Sequence, residues 1–378
     1  MEIKNEDSDT ICEKVKLVVT TDTKEAYTTI SDSVIVPFSN TAKKRISFDA
    51  PPGFYHCQVI VEDSVIFENN LGYEPTKIIP ENDIPNDFDA FWASTIAEVN
   101  DMPLYFELIP IDSLSTAKHT MYRINFVSTP DLSSNGAPVV VGGYLSKPVG
   151  EGKFPAIINP QSLARSGEAP GPYETDGFCR FELYARGQFV HYDNPYNDWI
   201  TFGIKSKDTY YYKKAVSDVL MGLRVLKNLD FVDADHIFAC GGSQAGALSI
   251  AAAAFDHSVK AIGVAIPFLG DYPISAKIVN WPAQYLIDTG VKQGLSQTET
   301  LQLLSYFNAK NWATRVSCPV VLEFSLQDPV CPPRTTMAIY NNLTHVPYKT
   351  YSFNPLKAHS ASAHFKSDYE ALFRSCLK

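Results

Sequence analysis

Cys240-Gly-Gly-Ser-Gln-Ala-Gly-Ala247 sets a serine among very small residues. Before it, His236-Ile-Phe-Ala-Cys240 has the composition of a buried strand, and after it residues 244–255 form an alanine-rich run that reads as a helix. A serine at such a junction is turned outward only by a very sharp turn, so its neighbours have to be tiny. The following helix then directs its positive end at the serine oxygen. Gly241 and Ser243 fit the spacing G-x-S-x-G, and Ala245 stands where the last glycine would be. Small-residue turns around a serine also arise by chance, but a strand before and a helix after favour a functional reading, with Ser243 as nucleophile.

The surrounding sequence repeats the same strand-then-helix alternation. Strands are expected at 121–128, 139–145, 154–159, 181–185, 236–240, 261–266, 319–324 and 348–353. Helices are expected at 208–229, 244–255, 334–342 and 361–377. Such units build a mostly parallel sheet with helices on both faces, with ligands at the carboxyl ends of the strands. The expected class is α/β, and specifically the α/β-hydrolase fold.

A serine hydroxyl needs a base, and the base needs an acid to orient it. In this fold the chain order is Ser, then Asp or Glu, then His. Asp328, in Phe324-Ser-Leu-Gln-Asp-Pro-Val330, follows a buried strand, and its bland reading is a turn former before Pro329. Asp271 is the rival acid, but it follows the preceding strand. Lys357-Ala-His-Ser-Ala-Ser-Ala-His364 offers His359 and His364 as base. His359 is preferred, because His364 falls on the last helix. His257 and His345 read as surface residues, and Ser360 and Ser362 as loop or cap residues. The oxyanion needs donors. The N–H of Gln244 is one, and the stretch Pro160-Gln-Ser-Leu-Ala164 supplies the other.

Residues 11–75 read differently. Lys16-Leu-Val-Val-Thr20, Ser33-Val-Ile-Val-Pro37, Arg45-Ile-Ser-Phe-Asp49, 54–62 and 64–68 are short β-type runs between polar turns. A small all-β sandwich is expected over 1–75, with no cluster of chemically useful residues and so an accessory role. A linker and a leading helix follow over 76–120. Phe88, Phe91, Trp92, Ile96 and Val99 share one face of that helix, a packing stripe rather than a binding box. The catalytic domain is expected over 121–378.

The chain has 378 residues, 45% hydrophobic and 20% charged, a globular balance with apolar side chains enough for a large core. Its formal charge of −10 disfavours nucleic acid and anionic membrane as partners. No apolar run is long enough to span a bilayer. Seven scattered cysteines without a C-x-x-C pair suit neither a zinc site nor a disulfide framework, so no metal is expected.

Four pieces in fixed order resemble the family 7 carbohydrate esterases, the acetyl xylan esterases and cephalosporin-C deacetylases. They are Pro85-Asn-Asp-Phe-Asp-Ala-Phe-Trp92, Arg186-Gly-Gln188, Gly241-Gly-Ser-Gln244 with Gly246, and Asp328-Pro-Val-Cys-Pro-Pro333. The resemblance spans about residues 83–378. It implies a cofactor-free serine esterase that removes acetyl groups from acetylated xylo-oligosaccharides or related small carbohydrate esters. It supports Ser243, Asp328 and His359 in their roles, implies Leu163 as the second oxyanion donor beside Gln244, and implies that Arg186 and Gln188 brace the site. Ring-like homo-oligomers are also implied. A β-domain joined to such an esterase suggests an exported protein, although the polar, acidic start of this chain is not a signal peptide. The chain departs from the family pattern at Ala245, at Ser360 where Glu is usual, and in lacking an aromatic in the oxyanion stretch. A peptidase or lipase-like hydrolase with the same triad is the alternative enzyme, and an inactive carbohydrate-binding relative the alternative from another class.

Overall fold

The computed structural model describes residues 2–6, 8–164, 166 and 177–377. Six strands come first: β1 (Glu2–Lys4), β2 (Ile11–Thr21), β3 (Ala26–Val36), β4 (Thr41–Lys43), β5 (Gly53–Val61) and β6 (Ser64–Tyr73). Four of them form an antiparallel sheet in the order β3-β2-β5-β6, and β1 pairs with β4 as a separate ribbon. Alternation decides what is buried. Val15, Leu17 and Val19 face one side of β2, where Leu17 and Val19 pack with Tyr55 and Cys57, and Val15 with Val34 and Val36. The stretch 45–49, expected as a strand, joins no ladder. Ile46 and Phe48 still pack inward against the sheet, so the alternation was real but served side-chain burial without backbone pairing.

The second sheet has nine strands: β7 (Phe106–Pro110), β8 (His119–Ser128), β9 (Val139–Pro148), β10 (Phe154–Pro160), β11 (Cys179–Tyr184), β12 (Val232–Gly242), β13 (Val259–Ala265), β14 (Val320–Ser325) and β15 (Lys349–Asn354). Their order is β15-β14-β13-β12-β10-β11-β9-β8-β7. The six from β15 to β11 are parallel, and β9, β8 and β7 add antiparallel pairings at one edge. From β10 the chain goes to β11 on one side and returns to β12 on the other, which opens a crevice at the carboxyl ends of β10 and β12.

Both faces are covered at the middle of this sheet, so residues 156–158 of β10 and 237–240 of β12 are apolar on both sides. In β12, Ile237 and Ala239 belong to the larger core, which also contains α2 (Tyr211–Lys227) and α3 (Gln244–Phe255). Phe238 and Cys240 point the other way, onto Phe365, Tyr369 and Phe373 of α9 (Phe365–Ser375). The leading helix α1 (Phe88–Asp101) uses its apolar stripe for packing, as its periodicity implies. The Trp92 indole stacks on Phe255 at 4.3 Å between ring centres and meets Trp312 edge-on at 5.8 Å. No helix among the described residues is long and apolar enough to cross a membrane.

Between β13 and β14, where the sequence pattern gives no element, the chain forms α4 (Tyr272–Ile278), α5 (Tyr285–Lys292), α6 (Gln297–Ser305) and α7 (Ala309–Ala313). These helices are short and interrupted by Pro282, Gly290 and Gly294, which leaves too few turns for a readable helical period. A further α-helix, α8 (Pro333–Asn342), begins just past the β14 loop. All seven cysteines are free, and five of them are buried.

Candidate active site

Ser243 stands between the last residue of β12 and the first of α3, with φ 56° and ψ −125°. Positive φ is costly for a residue with a Cβ, and such strain persists only where the surroundings enforce it. Here three backbone hydrogen bonds do so. The Ser243 N–H donates to the carbonyl of Ala265, and its own carbonyl accepts from Phe268 and Ala247 at 3.0–3.1 Å. The turn also explains the small residues. A Cβ on Gly241 would lie 2.4 Å from the Ala245 Cβ, and one on Gly246 would lie 3.1 Å from the carbonyl oxygens of Ala265 and Gly241. Ala245 is therefore tolerated because Gly241 leaves its methyl room.

The structure brings Ser243, His359 and Asp328 together from the ends of three parallel strands. The Ser243 Oγ lies 3.0 Å from His359 Nε2, and His359 Nδ1 lies 2.8 Å from Asp328 Oδ2 and 3.1 Å from Oδ1. The Asp328 side chain has no exposed surface, whereas the imidazole of His359 is 27% exposed. Asp328 Oδ1 also accepts from the N–H groups of Val330 and Cys331 at 2.8 and 2.9 Å. These bonds fix the carboxylate on the far side of the ring from the serine. A serine, an imidazole and a buried acid in this line form a proton relay suited to nucleophilic attack.

The other candidates lie elsewhere. Asp271 gives its carboxylate to Lys310 at 3.1 Å. His364 is exposed at the N-cap of α9. Asp328, Cys331 and His359 do bring a carboxylate, a thiol and an imidazole within 4.8 Å. That cluster suits a metal poorly: Asp328 is saturated by donors, and burial pushes the Cys331 thiol well above its usual pKa.

Gln244 opens α3, where a backbone N–H has no carbonyl of its own helix to bond. Its side chain is buried and fully used. It accepts from Tyr212 Oη at 2.9 Å, and its amide donates to the Gln161 carbonyl at 3.1 Å and to Gln188 Oε1 at 3.3 Å. Gln188 in turn donates to the Ser162 carbonyl at 3.2 Å, and Ser162 Oγ donates to the Gly242 carbonyl at 3.3 Å. The loop carrying Leu163 is thus tied to both sides of the serine turn.

The Arg-Gly-Gln stretch acts as one brace. Arg186 is buried, and its Nη2 and Nε meet Asp218 at 2.6 and 3.0 Å while its Nη1 meets Asp131 at 2.9 Å. Burial alone would push its pKa down, but the charge and hydrogen bonds of Asp218, with Asp131, more than reverse this. Burial likewise pushes Asp131 up, yet Arg186, Ser133 and Tyr196 bring it below the usual carboxylate range. Gly187 has φ 77°, and a Cβ there would lie 2.4 Å from the Tyr196 ring. The glycine therefore lets the chain turn from the Arg186 ion pairs to Gln188.

Sequence reasoning missed the anchors of the base loop. Glu323, buried in β14, accepts from Ser362 Oγ at 2.6 Å and from the Ser362 N–H at 2.5 Å. Ser325 Oγ donates to the Ser360 carbonyl at 2.8 Å. The signal was present: Glu323 is the one charge in Val-Val-Leu-Glu-Phe, and a buried charge needs a partner.

The model of the acetyl xylan esterase (AXE1) family matches residues 73–377. The acetyl esterase Axe7A of Xylanibacter ruminicola is 27% identical over 308 residues, covering 78% of this chain and 68% of that protein. Acetyl xylan esterase 1 of Thermoanaerobacterium sp. JW/SL YS485 superposes with a TM-score of 0.71 at 25% identity, over 81% of this chain and 98% of the other. The acetyl xylan esterase of Paenibacillus sp. R4 shares the fold with the same TM-score at 24% identity, over 80% and 98% of the two chains. With the family model matching from the end of β6 through α9, this chain belongs to the acetyl xylan esterase (AXE1) family and is a carboxylic ester hydrolase of the α/β-hydrolase fold.

Proposed function

We propose that residues 121–378 remove acetyl groups from acetylated xylo-oligosaccharides through an acyl-serine, with residues 1–75 as an accessory β-unit joined by 76–120. Ser243 Oγ attacks the acetyl carbonyl while His359 Nε2 takes the hydroxyl proton. Asp328 holds the imidazole by Nδ1. The N–H groups of Gln244 and Leu163 receive the oxyanion. The C–O bond to the sugar then breaks, His359 gives its proton to the leaving sugar oxygen, and acetyl-Ser243 remains. A water, deprotonated by His359, attacks that ester and releases acetate. The observation that supports this most is the unbroken line of hydrogen bonds from Ser243 through His359 to Asp328, at 3.0 and 2.8 Å.

A preference for acetyl over longer acyl groups is expected from the acetyl esterases that the chain resembles. The expected result is fast acetate release from acetylated xylo-oligosaccharides and a rate on octanoyl esters at least about a hundredfold lower. Equal rates on acetyl and octanoyl esters would overturn the reading.

For the sugar, Trp281 offers an aromatic face. It is 42% exposed and its ring centre lies 5.9 Å from that of Phe268. A pyranose ring stacks on such a face through its C–H edge, a contact worth about 1 kcal/mol. Trp281→Ala is expected to raise KM for acetylated xylo-oligosaccharides roughly fivefold to tenfold. KM for ethyl acetate, which has no ring, changes less. An unchanged oligosaccharide KM removes Trp281 from the site.

A further inference from the structure

Among the described residues, a polar strap carries the N-terminal β-unit to the turn that holds Asp328. Gln327 immediately precedes Asp328, and its side-chain amide pairs with the backbone of Asn70 on β6. Gln327 Oε1 accepts from the Asn70 N–H at 2.9 Å, and Gln327 Nε2 donates to the Asn70 carbonyl at 3.2 Å. Asn70 Nδ2 donates to the carbonyl of Leu326 at 3.1 Å, and its Oδ1 meets His56 Nδ1 at 3.0 Å. Gln327 also reaches toward the base. Its Nε2 donates to the Pro355 carbonyl at 2.8 Å, and its backbone N–H donates to the Lys357 carbonyl at 3.1 Å. One side chain therefore joins three pieces of chain: the β6 strand, the turn that carries Asp328 and the segment that leads to His359.

The rest of the contact between the two parts is different in kind. Phe54 meets Phe324 edge-on at 6.2 Å, and Arg334 pairs with Asp22 at 2.9 Å. Between these contacts and the strap lies a cavity of about 270 Å³, walled by Tyr55, His56 and Asn70 on one side and by Ile278, Asp328 and Pro332 on the other. The turn at Asp328 thus has open space beside it on this side, and the strap is what crosses to it.

We propose that Asn70 and Gln327 are positioning residues for the reaction. Through them the N-terminal β-unit sets the register of the acid turn against the base segment, and so the alignment of His359 with Ser243. The proposal rests on the roles given above to Asp328 and His359. It assigns the β-unit a part in turnover rather than in substrate capture, so its loss appears in kcat and not in KM. A small misplacement of a reacting group is enough to lower a rate tenfold or more.

The test is steady-state kinetics of the full chain on p-nitrophenyl acetate with four single variants and one double variant. Gln327→Met keeps the side chain's length and removes its hydrogen bonds. It is expected to lower kcat about tenfold or more with KM within about twofold. Asn70→Ala, which removes only the Leu326 and His56 contacts, is expected to lower kcat about threefold. It should add little to Gln327→Met, because both act through one strap. Arg334→Met breaks another tie between the two parts, the ion pair with Asp22. It is expected to lower Tm while leaving kcat within about twofold. Ser243→Ala, measured alongside, is expected to be inactive. A wild-type kcat in Gln327→Met overturns the strap. An equal loss in Arg334→Met also overturns it, by showing that any loosening of the β-unit has the same effect. An active Ser243→Ala removes the catalytic reading on which the proposal stands, and it is recognisable as that separate failure.

Discussion

Ser243→Ala is expected to lower kcat on acetyl esters by about a millionfold, and His359→Ala by nearly as much. The reason is the coupling between the two groups. The serine oxygen is nucleophilic only while its proton can pass to Nε2, 3.0 Å away, and that imidazole has no other task in the site. Removing either therefore removes the same step, and the double variant should be no slower than either single one. KM should change little, since neither side chain holds the substrate before attack. Asp328→Asn is expected to cost about 10⁴, because an amide cannot accept the Nδ1 proton while also facing the N–H groups of Val330 and Cys331. Steady-state rates on p-nitrophenyl acetate check all four. A double variant as slow as the product of the two single losses would mean that serine and histidine act separately.

The largest loss of stability is expected at Arg186. Its guanidinium has no exposed surface, nor does the Asp218 side chain, and that of Asp131 is 5% exposed. Arg186→Met fills much of the same space but leaves two carboxylates facing each other without their cation. Breaking a buried pair from one side costs about 3–5 kcal/mol, a large share of the roughly 5–15 kcal/mol that holds a domain folded. The damage also reaches the site. Gly187 and Gln188 follow Arg186 directly, and Gln188 ties the Ser162 carbonyl to Gln244. Urea unfolding should show a midpoint well below that of the wild-type protein, with lowered activity even in the folded fraction. Adding Asp218→Asn should recover part of the loss, because it removes one uncompensated charge. An unfolding free energy within about 1 kcal/mol of the wild-type value would show that the ion pairs contribute little.

The sequence was most informative where chemistry and backbone geometry constrain the same residues. The turn at Ser243 needs Gly241 for space and a strand and helix on either side, and all three leave marks in a short window. The placing of Asp328 and His359 beside Ser243 was legible because each follows a β-run, buried for Asp328 and half-buried for His359, and because the fold fixes their order along the chain. The Arg-Gly-Gln stretch could be recognised but not explained from sequence. Its partners, Asp131 and Asp218, lie on other elements, and nothing local links them to Arg186.

Three parts were hidden for physical reasons. The helices α4 to α7 are too short and too often interrupted to show a period. Residues 45–49 alternate as a strand does yet bury Ile46 and Phe48 without joining a ladder. The Asn70–Gln327 strap joins two uncharged residues 257 positions apart. Both are ordinary in a turn or a strand end, so neither stands out until the chain is folded.

Labelling with a fluorophosphonate, followed by mass spectrometry of the peptides, tests the central claim most directly. Such reagents bond covalently to a serine only when a base has activated it. One label per chain is predicted, on the peptide that contains Ser243, with esterase activity falling in step with labelling. The label should be absent in both Ser243→Ala and His359→Ala. Full activity in a completely labelled protein, or a label on another serine with activity lost, would contradict the account.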